Sequence, residues 1–417
     1  MNKLQHPAPA LPALALLLLL VGGALTLPAA AQEQLAALAG DGSIMLRSPT
    51  GETLVSINPE RALIPASLLK IPLAQVALTS LGADFRFETH FYRNDSGDLL
   101  IRGLGDPLLV SEEIARIADM LAARGLQQVR RLLLDDSAFE SNPELPLEEN
   151  SSQPYAARNS ALAVNFNTVN LAWTATGALI SGESQTPLTA FARELGVQHA
   201  PVALAAGEPQ RLRINLGADP VAGLRQAQQL FLLLLEESGI TVTDAEFQQA
   251  AVTAEWTLFY QHFSSRSLRD ILTDMLRYSN NFIANQLFLT LGAHSSGYPA
   301  TVANARAHLQ QQLAVIYGGQ FGSDPQLLLM LEGSGLSPAQ RSSGAAMLHI
   351  LEVFKPYAEL LPEVDGVLRK SGTLTGVYNF AGYMRGPDGL YPFVILTNQA
   401  VNRRAEILAA ISRELNR

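Results

Sequence analysis

One serine and one lysine interrupt the apolar run Pro65-Ala66-Ser67-Leu68-Leu69-Lys70-Ile71-Pro72. Pro72 lacks an N–H and weakens a helix interior, so a helix over this run has to begin close to Ser67. At helical pitch, residues three apart share a face, which brings the Lys70 amine within reach of the Ser67 hydroxyl. A free serine is a poor nucleophile, and an amine can take its proton only if the amine pKa has fallen toward neutrality. Leu68, Leu69, Ile71, Leu73, Val76 and Leu78 supply apolar surroundings that disfavour the ammonium form. The helix start also places the serine where the helix dipole helps a nucleophile. By itself such a pair is far more often a helix cap with a solvated lysine, so the rest of the chain has to decide.

At 417 residues the chain has room for two or three domains with sizeable cores. A formal net charge of −9 and the lack of a basic stripe argue against nucleic acid as a partner. The N-terminus reads as an export signal over residues 1–31: Lys3, an apolar run from Leu11 to Leu27, and the small-x-small pair Ala29 and Ala31. Cleavage there leaves no stable membrane span and places the protein in the periplasm or cell-wall space, soluble or peripherally attached. With no cysteine in the chain, disulfides, thiol nucleophiles and thiolate metal sites are excluded.

Two short strands, Ser43–Leu46 and Leu54–Ile57, flank the turn Ser48-Pro49-Thr50-Gly51 and lead into the Ser67 segment. A second hairpin is expected at Thr89–Tyr92 and Leu99–Arg102, then a helix capped by Ser111 and ended by Gly125, then a strand over Val129–Leu134. Ser137–Tyr155 reads as a surface loop. Strand-like runs at Val164–Leu171 and Arg211–Leu216 accompany a helix at Leu224–Glu237. Leu268, Ile271, Leu272, Met275 and Leu276 fall at helical spacing, and a further helix is expected over Phe282–Leu291. Gly366–Lys370, Gly382–Met384 and Phe393–Thr397 read as strands before a closing helix at Arg403–Leu415, consistent with an antiparallel sheet.

Three short motifs occur in the order S-x-x-K, S-x-N and K-[ST]-G: Ser67 with Lys70, Ser279-Asn280-Asn281, and Lys370-Ser371-Gly372-Thr373. In this order and setting they resemble the penicillin-binding proteins of the D-alanyl-D-alanine carboxypeptidase and endopeptidase group, the DacB type of low-molecular-mass class C. Gly103-Leu104-Gly105-Asp106-Pro107 is similar to that family's Gly-rich G-D-P stretch, and Glu332-Gly333-Ser334-Gly335-Leu336-Ser337 to its D-G-S-G-L-S. The resemblance implies an α+β protein: a transpeptidase/β-lactamase-like domain, an antiparallel sheet with helices, carrying a large insertion of one or two smaller domains. More than two hundred residues separate Lys70 from Ser279, which is where the family places such insertions. The expected division is catalytic over 32–88 and 255–417, with the insertion over 89–254.

By resemblance, Ser67 attacks a D-alanyl carbonyl, Lys70 accepts its proton, and Ser279 relays a proton to the leaving amine. Asn281 holds the substrate amide or Lys70. Lys370 keeps the Lys70 pKa low and attracts the substrate carboxylate, to which Ser371 and Thr373 offer hydroxyls. Gly372 is expected to leave the strand edge open to a peptide, and the N–H groups of Ser67 and Thr373 to form an oxyanion hole. Departures from the family pattern are Asn280 for Asp, Ser371 for Thr, Glu332 for Asp and Leu104 for Gly. The implied partners are peptidoglycan peptides, with β-lactams as inhibitors and no cofactor or metal.

Other chemistries find little support. The seven histidines never fall at H-E-x-x-H spacing, G-x-S-x-G is absent, and Asp135-Asp136 reads as a solvated turn. His262 reads as a surface or packing residue. Two alternatives remain open at this stage, a serine β-lactamase and a non-catalytic peptidoglycan-binding protein. Sustained nitrocefin turnover marks the first, and binding of wall fragments without cleavage marks the second.

Overall fold

The computed structural model describes residues 27–140, 145, 153–199, 210–217, 219 and 221–415. Residues 1–26, which hold most of the expected leader, and the middle of the expected loop at Ser137–Tyr155 lie outside the described residues.

The two ends of the chain meet in one six-stranded sheet, ordered 363–364, 367–374, 377–386, 389–396, 43–47 and 53–57, with every neighbouring pair antiparallel. The pairing that joins the two chain ends sets Ser43–Leu46 against Phe393–Leu396, with alternate residues facing the two sides of the sheet. On one face lie the Ala29–Ala39 and Arg404–Leu415 helices, packed through Leu35, Leu38, Ile407 and Ile411 on Ile44, Leu46, Phe393 and Ile395. Leu35 is the first buried residue of the Ala29–Ala39 helix, so a cut after Ala31 would spare its packed part. The other face meets the Gly344–Phe354 helix, and behind it lie the helices Lys70–Leu81, Leu268–Tyr278, Asn281–Ser296 and Val302–Tyr317. Lys70 to Leu78 are buried at every position, the signature of a helix enclosed on all sides by others.

A second sheet has five strands in the order 257–263, 88–93, 99–103, 128–135 and 241–249. Its first three strands are antiparallel, and the last two pairings are parallel. Parallel neighbours need crossovers, and the Ser111–Ala123 and Ala222–Glu237 helices lie within those connections, packing through Ile114, Ile117, Leu121, Leu230 and Phe231. Because Thr257–Phe263 pairs with Glu88–Arg93, this sheet runs past residue 254, where sequence alone set the end of the insertion. A three-stranded sheet, 179–181, 168–173 and 210–215, carries the Ala190–Gln198 helix and its own small core around Trp173 and Ile214.

Local expectations fail where tertiary partners claim a side chain. Ser111 does not cap its helix: the cap position is Val110, and the Ser111 hydroxyl is engaged with Asn165 and Thr186. Asn165, Phe166 and Asn167 all take positive φ, a tight turn that delays the expected strand at Val164 until Thr168. Asp135 is not solvated: it is buried, accepts from the N–H groups of Ser137 and Val252, and lies 3.7 Å from Arg102. His262 is a buried packing residue on Glu113, at 2.7 Å.

Candidate active site

Ser67 lies in a short 3-10 turn, Ala66–Leu69, that runs directly into the Lys70–Leu81 helix. Pro72 therefore falls in the first turn of that helix, where a missing N–H costs little. The Lys70 Nζ is 2.9 Å from Ser67 Oγ, 2.9 Å from Asn281 Oδ1 and 2.5 Å from the Ser334 carbonyl oxygen. The amine donates in all three contacts, to Ser67 Oγ, Asn281 Oδ1 and the Ser334 carbonyl; once it loses a proton, its lone pair can face the Ser67 hydroxyl and take that hydrogen. Burial first, and the Lys370 charge second, hold the Lys70 pKa well below the ordinary lysine range, while Glu332 pulls the other way.

The Ser279-Asn280-Asn281 motif is a junction between two helices, and each residue has a separate task. Ser279 takes φ +52° and ends the Leu268–Tyr278 helix, its backbone N–H bonded to Met275. Asn280 caps the next helix, accepting from the Ile283 N–H at 3.0 Å. An aspartate would cap equally well, which explains why Asn is acceptable there. Asn281 then starts the helix with its carbonyl oxygen on Lys70 and its NH₂ 3.3 Å from the Tyr155 carbonyl.

The third motif arrives on the strand Val367–Leu374. Lys370 is 1% exposed, and its Nζ donates to Ser279 Oγ at 2.8 Å and to the Ser371 carbonyl at 2.9 Å. Burial, helped by Arg404, lowers its pKa to about 7. Gly372 has a different task from the expected one. A Cβ there would lie 2.5 Å from the Pro65 carbonyl oxygen, so glycine lets this strand press against the turn that holds Ser67. The edge is open for another reason: the outer neighbour, Glu363–Val364, pairs only with Val367 and Leu368. Thr373 is exposed on that strand and accepts a hydrogen bond from Arg404, and Ser371 is half-buried beside it.

Several supporting groups carried no assigned role in the sequence. Glu332, fully buried, accepts from the N–H groups of Ser334, Gly335 and Leu336 at 2.6, 2.8 and 3.0 Å, and from Gln340 Nε2 at 2.7 Å. It thereby holds the loop whose carbonyl touches Lys70. Asn379 donates to the carbonyls of Ile64 and Pro65, and Asn398 Oδ1 accepts from the Ile64 N–H, pinning the approach to Ser67. The Glu332 loop was visible as a motif, but the two asparagines had no motif to mark them.

Two predictions follow from the packing. Gly335 has φ +83°, and a Cβ would sit 2.1 Å from the Ala66 carbonyl oxygen and 2.9 Å from the Ser67 nitrogen. Gly335→Ala is expected to destabilise the fold by more than about 1 kcal/mol and to slow acylation, measured by thermal melting and stopped-flow labelling. The second concerns Lys370, whose pKa is lower folded than unfolded, so the unfolded chain binds more protons and stability rises with pH. The burden is full below about pH 7 and disappears above the unfolded lysine value. Lys370→Met is expected to raise the melting temperature at pH 6, with the gain shrinking steadily toward pH 10; a gain independent of pH would refute the assignment.

A serine hydroxyl, a desolvated amine and a hydroxyl-bound second lysine thus converge from residues 67 to 370. The D-Ala-D-Ala carboxypeptidase 3 (S13) family matches residues 29–199 and 220–362, most of the chain. The chain belongs to that family. Among its relatives is a D-alanyl-D-alanine carboxypeptidase of Actinomadura sp. (strain R39), 28% identical over 86% of this chain and 77% of that protein. The D-alanyl-D-alanine carboxypeptidase DacB of Haemophilus influenzae is 24% identical over 81% of each chain. The crystal structure of penicillin binding protein 4 (dacB) from H. influenzae superposes with a TM-score of 0.72 at 19% identity, covering 92% of this chain and 98% of that one. This S13 chain therefore has the α+β architecture expected of the family, with sheets beyond the six-stranded one. Among the described residues, no helix is long and apolar enough to cross a membrane.

Proposed function

We propose that this S13 protein is a serine-type D-alanyl-D-alanine carboxypeptidase or DD-endopeptidase that cleaves peptidoglycan peptides through an acyl-enzyme on Ser67. The observation that carries the reading is the buried Lys70 amine, 2.9 Å from the Ser67 hydroxyl, with its pKa held low. Lys70 takes the hydroxyl proton as Ser67 Oγ attacks the D-alanyl carbonyl, and the backbone N–H groups of Ser67 and Thr373 receive the oxyanion. Ser279, bonded to Lys370 at 2.8 Å, carries a proton to the leaving amine, and the C–N bond breaks. Water then attacks the ester, Ser67 recovers its proton, and the shortened peptide leaves. The substrate lies as an added strand on the open edge of Val367–Leu374, with Asn281 and Ser371 bounding it.

A β-lactam presents a strained amide in place of the D-alanyl bond, so the same serine accepts it. Slow release is expected, since among the described residues no second base besides Lys70 stands beside Ser67 to activate water. The catalytic unit takes in both chain ends, and the five-stranded and three-stranded sheets belong to inserted regions. The leader over residues 1–31 directs export to the periplasm or wall space.

Incubating the purified protein with wall peptides and weighing the products tests this reading. Loss of a single alanine marks the carboxypeptidase, and splitting of cross-linked dimers the endopeptidase. Fragments that bind and stay whole would reduce the protein to a wall-binding one, and rapid sustained nitrocefin hydrolysis would make it a β-lactamase.

A further inference from the structure

We propose that Asn159, in the segment that leads to the three-stranded sheet, is a positioning residue of the peptidase site: it holds the first turns of the Asn281–Ser296 helix so that the Asn281 amide oxygen stays on Lys70. The inference deepens the proposed peptidase reading and rests on it. Asn159 is buried, and its Nδ2 donates to the Phe282 carbonyl and to Gln286 Oε1, both at 3.0 Å. Gln286, also buried, returns a bond from Nε2 to the Ser160 carbonyl at 3.0 Å. Phe282 adjoins Asn281, so these bonds fix the end of the helix that enters the site.

Asn281 depends on such a hold. A side-chain amide carries an oxygen on one side and an NH₂ of nearly the same shape on the other. Here the oxygen accepts from Lys70 at 2.9 Å, while the NH₂ donates to the Tyr155 carbonyl at 3.3 Å. A backbone carbonyl only accepts, so Tyr155 selects which end of the amide faces Lys70. Turned over, Asn281 would set its NH₂ against the lysine donor and its oxygen against the Tyr155 oxygen. The Tyr155 contact is longer than an ordinary N–H···O bond, and the shorter bonds of Asn159 keep the two segments in register.

The segment is anchored on its far side as well. The Gln153 carbonyl accepts from Asn215 Nδ2 at 2.6 Å, and the Arg158 carbonyl from Asn167 Nδ2 at 2.9 Å. Phe166 has φ +60°, a costly backbone for an aromatic residue, and its ring meets Phe282 edge-on at 6.1 Å. Strain of this kind persists only where the surroundings over-determine it. Burial alone does not explain Asn159. An apolar side chain would cover the helix without a polar atom to satisfy, whereas Asn159 Oδ1 is buried with no hydrogen-bond partner among the described residues. What the amide adds is direction, because hydrogen bonds fix geometry that apolar packing leaves loose.

The experiment follows acylation by fluorescent penicillin against pH in the unsubstituted protein, Asn159→Leu, Gln286→Met and a control, Ile117→Val, which trims the core of the five-stranded sheet. Once the Asn281 oxygen is no longer held on Lys70, the ammonium loses an acceptor and the neutral amine is favoured. The rising limb is expected to move to lower pH by about one unit, with an acylation rate roughly tenfold slower on the plateau. Lys370 and Glu332, the charges that act on Lys70, are untouched by these substitutions. Ile117→Val should lower the melting temperature and leave the limb in place. Gln286→Met carries the same expectation and the same refutation, so the test stands even if Asn159→Leu does not fold. An unmoved limb, or an equal shift in Ile117→Val, reduces Asn159 to a structural tether and overturns the inference. An unsubstituted protein that takes no label sinks the peptidase reading itself, whereas a labelled protein whose limb stays put in the variants sinks only the role of Asn159.

Discussion

Ser67→Ala is expected to abolish covalent labelling by fluorescent penicillin and to lower peptide hydrolysis by about 10⁴-fold or more. Alanine removes the only atom that forms the acyl bond and leaves the groove, the oxyanion donors and the lysines in place. Residual catalysis from such a site is small, because members of a catalytic unit act together and removing the nucleophile costs nearly as much as removing them all. The substitution should leave the fold intact, since Ser67 is half-buried and its own contact with the Ser334 carbonyl is long, at 3.4 Å. A gel band of normal intensity from the Ser67→Ala protein, at unchanged melting temperature, would place the reacting atom elsewhere.

Lys70→Met should be almost as damaging, for a different reason. Methionine fills the same buried volume without a proton acceptor, so Ser67 has to attack as a neutral hydroxyl. General-base assistance typically contributes 10²–10⁴-fold, and a fall of about 10³-fold in the acylation rate is expected. The pH dependence supplies a second readout. In the unsubstituted protein, acylation should rise with pH at a value well below that of a free lysine, because burial and the Lys370 charge favour the neutral amine. That rising limb should be missing from Lys70→Met. A variant that keeps the limb and reacts within threefold of the unsubstituted protein would assign the base to another group.

These two substitutions concern the part of the site that local sequence already shows. Three residues of spacing in a helix are enough to put Lys70 beside Ser67, and the apolar neighbours that lower its pKa are written into the same run. Ser279-Asn280-Asn281 is also local, because a left-handed residue followed by a cap is a matter of backbone preference at adjacent positions. The strands of the six-stranded sheet and the closing helix were legible for the same reason, since alternation and helical spacing are short-range signals, whereas the Ala29–Ala39, Val302–Tyr317 and Gly344–Phe354 helices had no reading in the sequence. Gly372 shows where such reasoning stops. Its identity was plain, but its purpose, close approach to the Pro65 carbonyl three hundred positions away, depends on which surfaces pack together.

The chain's amino acids by themselves therefore determined the family, the pairing of Ser67 with Lys70, and the helix junction that presents Ser279 and Asn281. Tertiary structure alone decided that Lys370 meets Ser279, that Glu332 holds the Ser334 carbonyl against Lys70, and that Arg404 reaches Thr373. The physical reason is twofold. Contacts between distant segments are chosen by the packing of whole helices and sheets, which no short window encodes. Backbone carbonyls and N–H groups, moreover, belong to every residue type, so a site built partly from them leaves no mark in the sequence until the fold brings them together.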